Sequence, residues 1–186
     1  MLSRRRVLLG TSLLAAPAHA ADYPEKPVTL VVPFAAGGAI DVLGRLLSER
    51  ASQTLGQPVV IDNRGGAAGL IGAAAVAHAA PDGYTLLLAS AAQVTIPPWI
   101  NRSLTFDPPR QLAPVAHLAD TPMVLIVAAN APYRTVSDFI TAARAHRGGL
   151  NYASTGVGTI SNLVMESLKL AADIDVVHVP YRGAAP

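Results

Sequence analysis

Residues 28–41 read VTLVVPFAAGGAID, and this stretch decides the fold class. Residues 28–34 form an apolar run of strand length, as expected when both faces of a parallel sheet are covered. Gly37 and Gly38, flanked by Ala35, Ala36 and Ala39, make a turn of small residues. Ile40, Leu43, Leu47, Ala51 and Leu55 then recur at helical spacing until Gly56 ends the pattern. A strand, a glycine turn and a helix in that order leave the first helical N–H groups open beside Gly37, Gly38 and Ala39. Free backbone donors at a helix start form a ready anion site. Because the turn contains no Lys or Arg, an acid held here would meet mostly neutral donors.

Working outward, residues 59–61 read as a second strand. Arg64, Gly65 and Gly66 break the chain, residues 68–80 form an alanine-rich helix, and residues 85–89 read as a third strand. This β-α-β-α-β order predicts a right-handed, mostly parallel sheet. Residues 96–114 carry Pro97, Pro98, Pro108, Pro109 and Pro114 and are expected to be irregular. Two short apolar segments follow, 115–119 and 123–128, with Asp120, Thr121 and Pro122 between them as a crossover. A helix is expected over 136–145, where Thr135 and Asp138 are spaced as a capping box. A strand at 151–153, a helix at 161–171 and a strand at 176–179 complete the pattern. The domains expected are a first lobe over 21–119 and a second over 120–186, which stops in a turn after Pro180 and is expected to be incomplete.

A second strand–glycine–helix unit, NYASTGVGTISNL at residues 151–163, repeats the first. Its turn, Ser154, Thr155, Gly156, Val157, Gly158 and Thr159, adds hydroxyl donors. It begins like a dinucleotide fingerprint, but Ser161 stands at the third glycine position, and no ribose-binding acid follows at the right distance. The Gly-Lys-Ser/Thr of a phosphate loop is absent too. A carboxylate needs fewer donors than a pyrophosphate and fits better. The blander reading of the first unit is a tight strand-to-helix turn permitted by glycine, with Asp41 capping the helix.

The N-terminus carries Arg4, Arg5 and Arg6, a short apolar stretch over 7–18, and Ala18-His19-Ala20 as a cleavage pattern. Residues 1–20 are therefore expected to be a signal peptide, by a general secretory or a twin-arginine route. With those three arginines set aside, 11 basic and 12 acidic residues remain, a net charge of −1. No basic stripe argues for nucleic acid. There is no cysteine, which excludes disulfides, thiolate metal sites and cysteine nucleophiles. His78, His117, His146 and His178 lack metal-ligand spacing, and no G-x-S-x-G elbow is present. No catalytic residue, metal or cofactor is expected. Arg64, beside two glycines, is either a solvated loop residue or a partner for an acid.

Four stretches together resemble a known family: PFAAGGAIDVLGR (33–45), VVIDNRGGAAGLIGAAAVAHAAPDGYTLLLAS (59–90), YASTGVGTISNL (152–163) and HVPYRGAAP (178–186). They are similar, in order and spacing, to the Bug or TctC family, the substrate-binding proteins of tripartite tricarboxylate transporters. The resemblance implies a type II periplasmic-binding-protein fold, α/β, with two lobes around a cleft, the second truncated in this chain. It implies a periplasmic, monomeric receptor for a small organic acid that delivers its ligand to membrane subunits of a transporter. Carried onto this sequence, the ligand-gripping residues are Phe34, Ala35, Ala36, Gly37, Gly38, Ala39 and Asp41, with Ser154, Thr155, Gly156, Val157, Gly158 and Thr159. Ser90, Ala91 and Tyr181 are implied to line the same cleft. The family often has His where Asn162 stands, a departure that bears on side-chain recognition. Two other readings stay open. One is an exported α/β enzyme acting on a carboxylate or acyl substrate, for which Ser154 or Ser161 would be the nucleophile without an evident His partner. The other is a ligand-sensing subunit for a membrane kinase.

Overall fold

The structure is a computed structural model in which residues 23–184 are described; the expected signal peptide lies outside them. Three strands, β1 (Val28–Val32), β2 (Val59–Asn63) and β3 (Thr85–Leu87), form a parallel sheet in the order β2-β1-β3. Val28 pairs with Val59, and Thr29 pairs with Thr85 on the other edge. The central strand is the most apolar, and Val28, Leu30, Val31 and Val32 are all buried. Helix α1 (Ala39–Leu55) covers this sheet and ends at Gly56, whose φ of 68° is the left-handed stop that glycine supplies. Close packing needs Gly44, because a Cβ there would lie 3.0 Å from Val32 Cγ2. Ser48 and Ser52 clip the start of β2 to the helix: Ser48 Oγ donates to the Val59 carbonyl at 2.5 Å, and Val59 N–H donates to Ser52 Oγ at 2.8 Å.

The alanine-rich segment divides. Residues Ala67–Gly69 make a 3-10 turn, and helix α2 proper is Leu70–Ala77. The proline-rich stretch is more ordered than its composition predicts. A single-turn helix, α3 (Ala91–Val94), leads into it, and it holds two more, α4 (Pro97–Ile100) and α5 (Pro108–Gln111). In the last two, proline occupies the first helical positions, where its missing N–H costs nothing.

A separate two-stranded parallel sheet is made by β4 (Asn151–Ser154) and β5 (Val177–Pro180). Helices α6 (Val136–Ala145) and α7 (Ile160–Ala172) pack with it around Phe139, Ala143, Tyr152, Met165, Ile174 and Val176. The capping box expected before α6 is present: Asp138 N–H donates to Thr135 Oγ1 at 3.1 Å, and Thr135 N–H donates to Asp138 Oδ2 at 2.9 Å. Arg144 ties the two helices by donating through Nε to the Ala172 carbonyl at 2.9 Å, at the end of α7. The apolar segments 115–119 and 123–128 join neither sheet, and Val115, Val124 and Ile126 are 84%, 74% and 81% exposed. A strand forms only against a partner, and among the described residues these segments have none.

Candidate functional site

In each sheet the strands run parallel, so the loops at their C-terminal ends gather on one side. The β1–α1 turn, the β2–α2 turn and the β4–α7 turn meet there, together with the turn after β5. Between them lies a cavity of about 270 Å³ lined by Phe34, Gly66, Ala67, Ala68, Gly69, Thr155, Gly156, Val157, Pro180, Tyr181 and Arg182. Glycines set how closely the two sheets approach. A Cβ on Gly156 would lie 3.6 Å from Ala68 Cα, and one on Gly158 would lie 2.6 Å from Ile100 Cδ1.

The two glycine turns are braced in the same way. Gly37 N–H donates to Asp41 Oδ2 at 2.9 Å, and Gly158 N–H donates to Asn162 Oδ1 at 2.9 Å. In both, the acceptor sits four residues on, in the first turn of the helix; in the second turn the N–H groups of Thr155, Gly156 and Thr159 are taken as well, by Ser161 Oγ, Ser154 Oγ and the Gly156 carbonyl. Asp41 is 2% exposed; its other partners are Arg45 Nε at 2.9 Å and Asn63 Nδ2 at 2.9 Å. The Arg45 guanidinium, then the Gly37 amide, hold its carboxyl down at about 2 against the opposing effect of burial. Asp41 therefore faces donors of its own chain and shapes the turn rather than opening into the cavity. The N–H groups of Gly38, Ala39 and Ile40 have no partner among the described residues.

Of the residues singled out in the sequence, Phe34, Thr155, Gly156, Val157 and Tyr181 line the cavity. Ala35, Ala36, Gly37, Gly38, Ala39, Ser90, Ala91, Ser154, Gly158 and Thr159 stand in the surrounding turns but not in the lining. Ala35 instead meets the turn after β5, where a Cβ on Gly183 would lie 3.7 Å from the Ala35 nitrogen. Gly38 has an ordinary φ of −79° and room for a Cβ, whereas Gly37 has a φ of 87°. The conformational demand thus falls on Gly37.

Ser154 does have a histidine partner, contrary to the sequence reading. His178, from the adjacent strand β5, places Nε2 2.6 Å from Ser154 Oγ. In this parallel register Tyr152 is directly opposite His178, and their rings stack at 4.7 Å. Ser154 Oγ also accepts from Gly156 N–H at 3.1 Å. The tyrosine continues the network, donating to Glu166 Oε1 at 2.6 Å and accepting from Asn162 Nδ2 at 2.8 Å. Burial, then the Glu166 carboxylate, push its hydroxyl up to about 12. At 6% exposure and bonded to the turn it precedes, Ser154 braces the glycine turn. Among the described residues no carboxylate is hydrogen-bonded to His178, as a triad would require.

The β2–α2 turn is the part of the cavity wall that pattern reading missed. Gly66, Ala67, Ala68 and Gly69 have φ of 119°, 47°, 55° and 88°, four residues at positive φ in succession. For alanine this conformation costs about 1–2 kcal/mol per residue. Such strain persists where the surroundings enforce it, and it clusters at functional sites. The available signal was positional: in a parallel sheet the loop after β2 opens on the same side as the loop after β1. Arg182 was missed as well, and among the described residues it is the one charged side chain in the lining. Arg64 instead pairs with Asp62 at 2.6 Å.

A family model described as the tripartite tricarboxylate transporter family receptor matches residues 43–186. A UPF0065 protein from the tcbD-tcbE intergenic region of Pseudomonas sp. strain P51 is 38% identical over 190 residues, covering 100% of this chain and 56% of that relative. Among solved structures, the periplasmic binding protein BugD is similar with a TM-score of 0.82 and 36% identity, over 88% of this chain and 55% of its own. R. palustris Rpa4515 with adipate matches at 0.79 and 36% identity, over 88% of this chain and 55% of its own. MatC from Rhodopseudomonas palustris with bound malate matches at 0.75 and 35% identity, over 87% and 55%. The chain spans about half the length of the curated relatives it matches.

Proposed function

Because the chain belongs to the tripartite tricarboxylate transporter receptor family, we propose that it takes part in capturing a small di- or tricarboxylate in the periplasm for delivery to a membrane transporter. The observation that carries this reading is the cavity between the two sheets, walled by backbone from both. Its walls are glycine and alanine turns, so an acid group can approach main-chain N–H groups closely. Arg182 adds one cation to that neutral lining. An acid with two carboxylates has a use for both: amides for one group, and the guanidinium at the rim for the other. Malate and adipate, the acids in the two ligand-bound relatives, are of this class. Residues 1–20 would direct export. Phe34, Ala67, Ala68, Thr155, Gly156, Val157 and Tyr181 would line the bound acid, while Asp41, Ser154 and Asn162 would hold the turns in shape.

A hydrolytic role draws on the Ser154–His178 pair alone. The serine is buried and tied to Gly156, so attack would require the turn to unmake itself. Titration calorimetry of the purified chain with malate, adipate, citrate and acetate tests the receptor reading. Micromolar binding of the polyacids, with acetate much weaker, is expected. A flat trace across the panel would overturn it, as would turnover of an ester substrate that Ser154→Ala abolishes.

A further inference from the structure

Gln93 is fully buried, and its carboxamide admits one orientation. Ser90 N–H can only donate, so Oε1 must face it, at 2.9 Å; the Ala68 carbonyl can only accept, so Nε2 must face that, at 2.6 Å. The oxygen side belongs to a local capping box at the start of α3. The nitrogen side is not local at all. It reaches 25 residues back along the chain to the β2–α2 turn.

What it grips there is the positive-φ segment 66–69. Glycine adopts positive φ freely, but Ala67 and Ala68, at 47° and 55°, have no intrinsic preference for it. Three polar contacts hold the segment: Gly69 N–H donating to the Gly66 carbonyl at 2.9 Å, Leu70 N–H donating to the Ala67 carbonyl, and, from outside the turn, the Gln93 amide on the Ala68 carbonyl. Gly69 makes room for that amide, since a Cβ there would lie 2.3 Å from Gln93 Nε2 and 2.9 Å from the Pro33 carbonyl. The held segment forms one wall of the cavity, and Gly156 faces it from the other sheet.

We infer that Gln93 is a positioning residue for ligand capture: through the Ala68 carbonyl it locks residues 66–69 in the positive-φ form that turns the Ala67 and Ala68 amides toward the acid. This rests on the carboxylate reading above and adds to it a residue that never touches the ligand. Gln93→Glu separates the two ends of the side chain. The carboxylate keeps an acceptor for Ser90, as capping boxes commonly do, but sets an oxygen against the Ala68 carbonyl.

The test compares the unaltered chain, Gln93→Glu, and Gln93→Glu with Ala68→Gly, using malate as the probe. In ligand-free protein, the backbone carbon chemical shifts of Ala67 and Ala68 should carry a left-handed signature that Gln93→Glu removes. Malate affinity should fall by about tenfold in Gln93→Glu. Ala68→Gly should recover most of that loss, because glycine regains positive φ without the lock. A general loss of folding would not be rescued in this way. A left-handed signature that survives Gln93→Glu overturns the inference, as does an affinity within about twofold of the unaltered chain or a failure of Ala68→Gly to recover it. Should the unaltered chain bind no malate, the carboxylate reading fails, while the ligand-free spectra still decide whether Gln93 locks the turn.

Discussion

At the scale of single residues, the site is shaped by side chains that spend themselves on the backbone. Asp41 satisfies the Gly37 amide and keeps it from the ligand, yet fixes the turn whose later amides remain open. Replacing it with Ala leaves the Gly37 N–H without its partner and Asn63 Nδ2 with the Phe34 carbonyl alone, at a cost of about 1–3 kcal/mol, measured by urea unfolding. Its contribution also depends on pH. Because its folded pKa of about 2 lies below the ordinary 3.8, that contribution is present above about pH 4 and is lost as pH falls through 2. The acid limb of the stability curve should therefore flatten in Asp41→Asn; an unchanged limb would remove Asp41 from the account. Ser154 and His178 are a matching brace in the second turn. Ser154→Ala is expected to weaken acid binding without creating or abolishing any catalytic turnover.

At the scale of elements, the regular parts were legible because apolar periodicity reports burial directly. The strand at 28–34, the helix ending at Gly56 and the capping box at Thr135 follow from residue spacing alone. The strand itself is shorter, since Pro33 has no N–H to give the ladder. The β2–α2 turn was not legible, because alanine has no intrinsic preference for positive φ and the Gln93 amide that grips the Ala68 carbonyl comes from 25 residues away. The Ser154–His178 pair was hidden for the same reason. It depends on the register of β4 against β5, which no spacing along the chain reveals. Two substitutions test the element-level packing. Thr135→Ala should cost about 0.5–2 kcal/mol through loss of the α6 cap, seen as a lower urea midpoint at constant slope. Gly44→Leu should cost more, because even its Cβ meets Val32, and circular dichroism with thermal melting would show it.

For the whole molecule, the cavity exists only where two sheets bring their glycine turns together. Gly158→Val is the corresponding test: a β-branched residue is strained at its φ of 77° and its Cβ crowds Ile100 Cδ1, so the turn that meets the first sheet must change shape. Acid binding should fall steeply while the packing of each sheet persists. The exposed apolar run at 123–128 lies away from the cavity lining, and an unpaired run of this kind favours association between copies. Ile126→Lys should raise the concentration at which the chain stays monomeric in sedimentation experiments and leave malate binding unchanged. At the centre stands the proposal that open main-chain amides in turns from both sides of the cavity, Ala67 and Ala68 on one and Val157 on the other, clasp one acid together. Amide proton–nitrogen spectra recorded during a malate titration test it most directly. Ala67 and Ala68 should shift in concert with Thr155, Gly156 and Val157, along a single saturating curve. Shifts confined to one sheet, or clustered away from these turns, would contradict it.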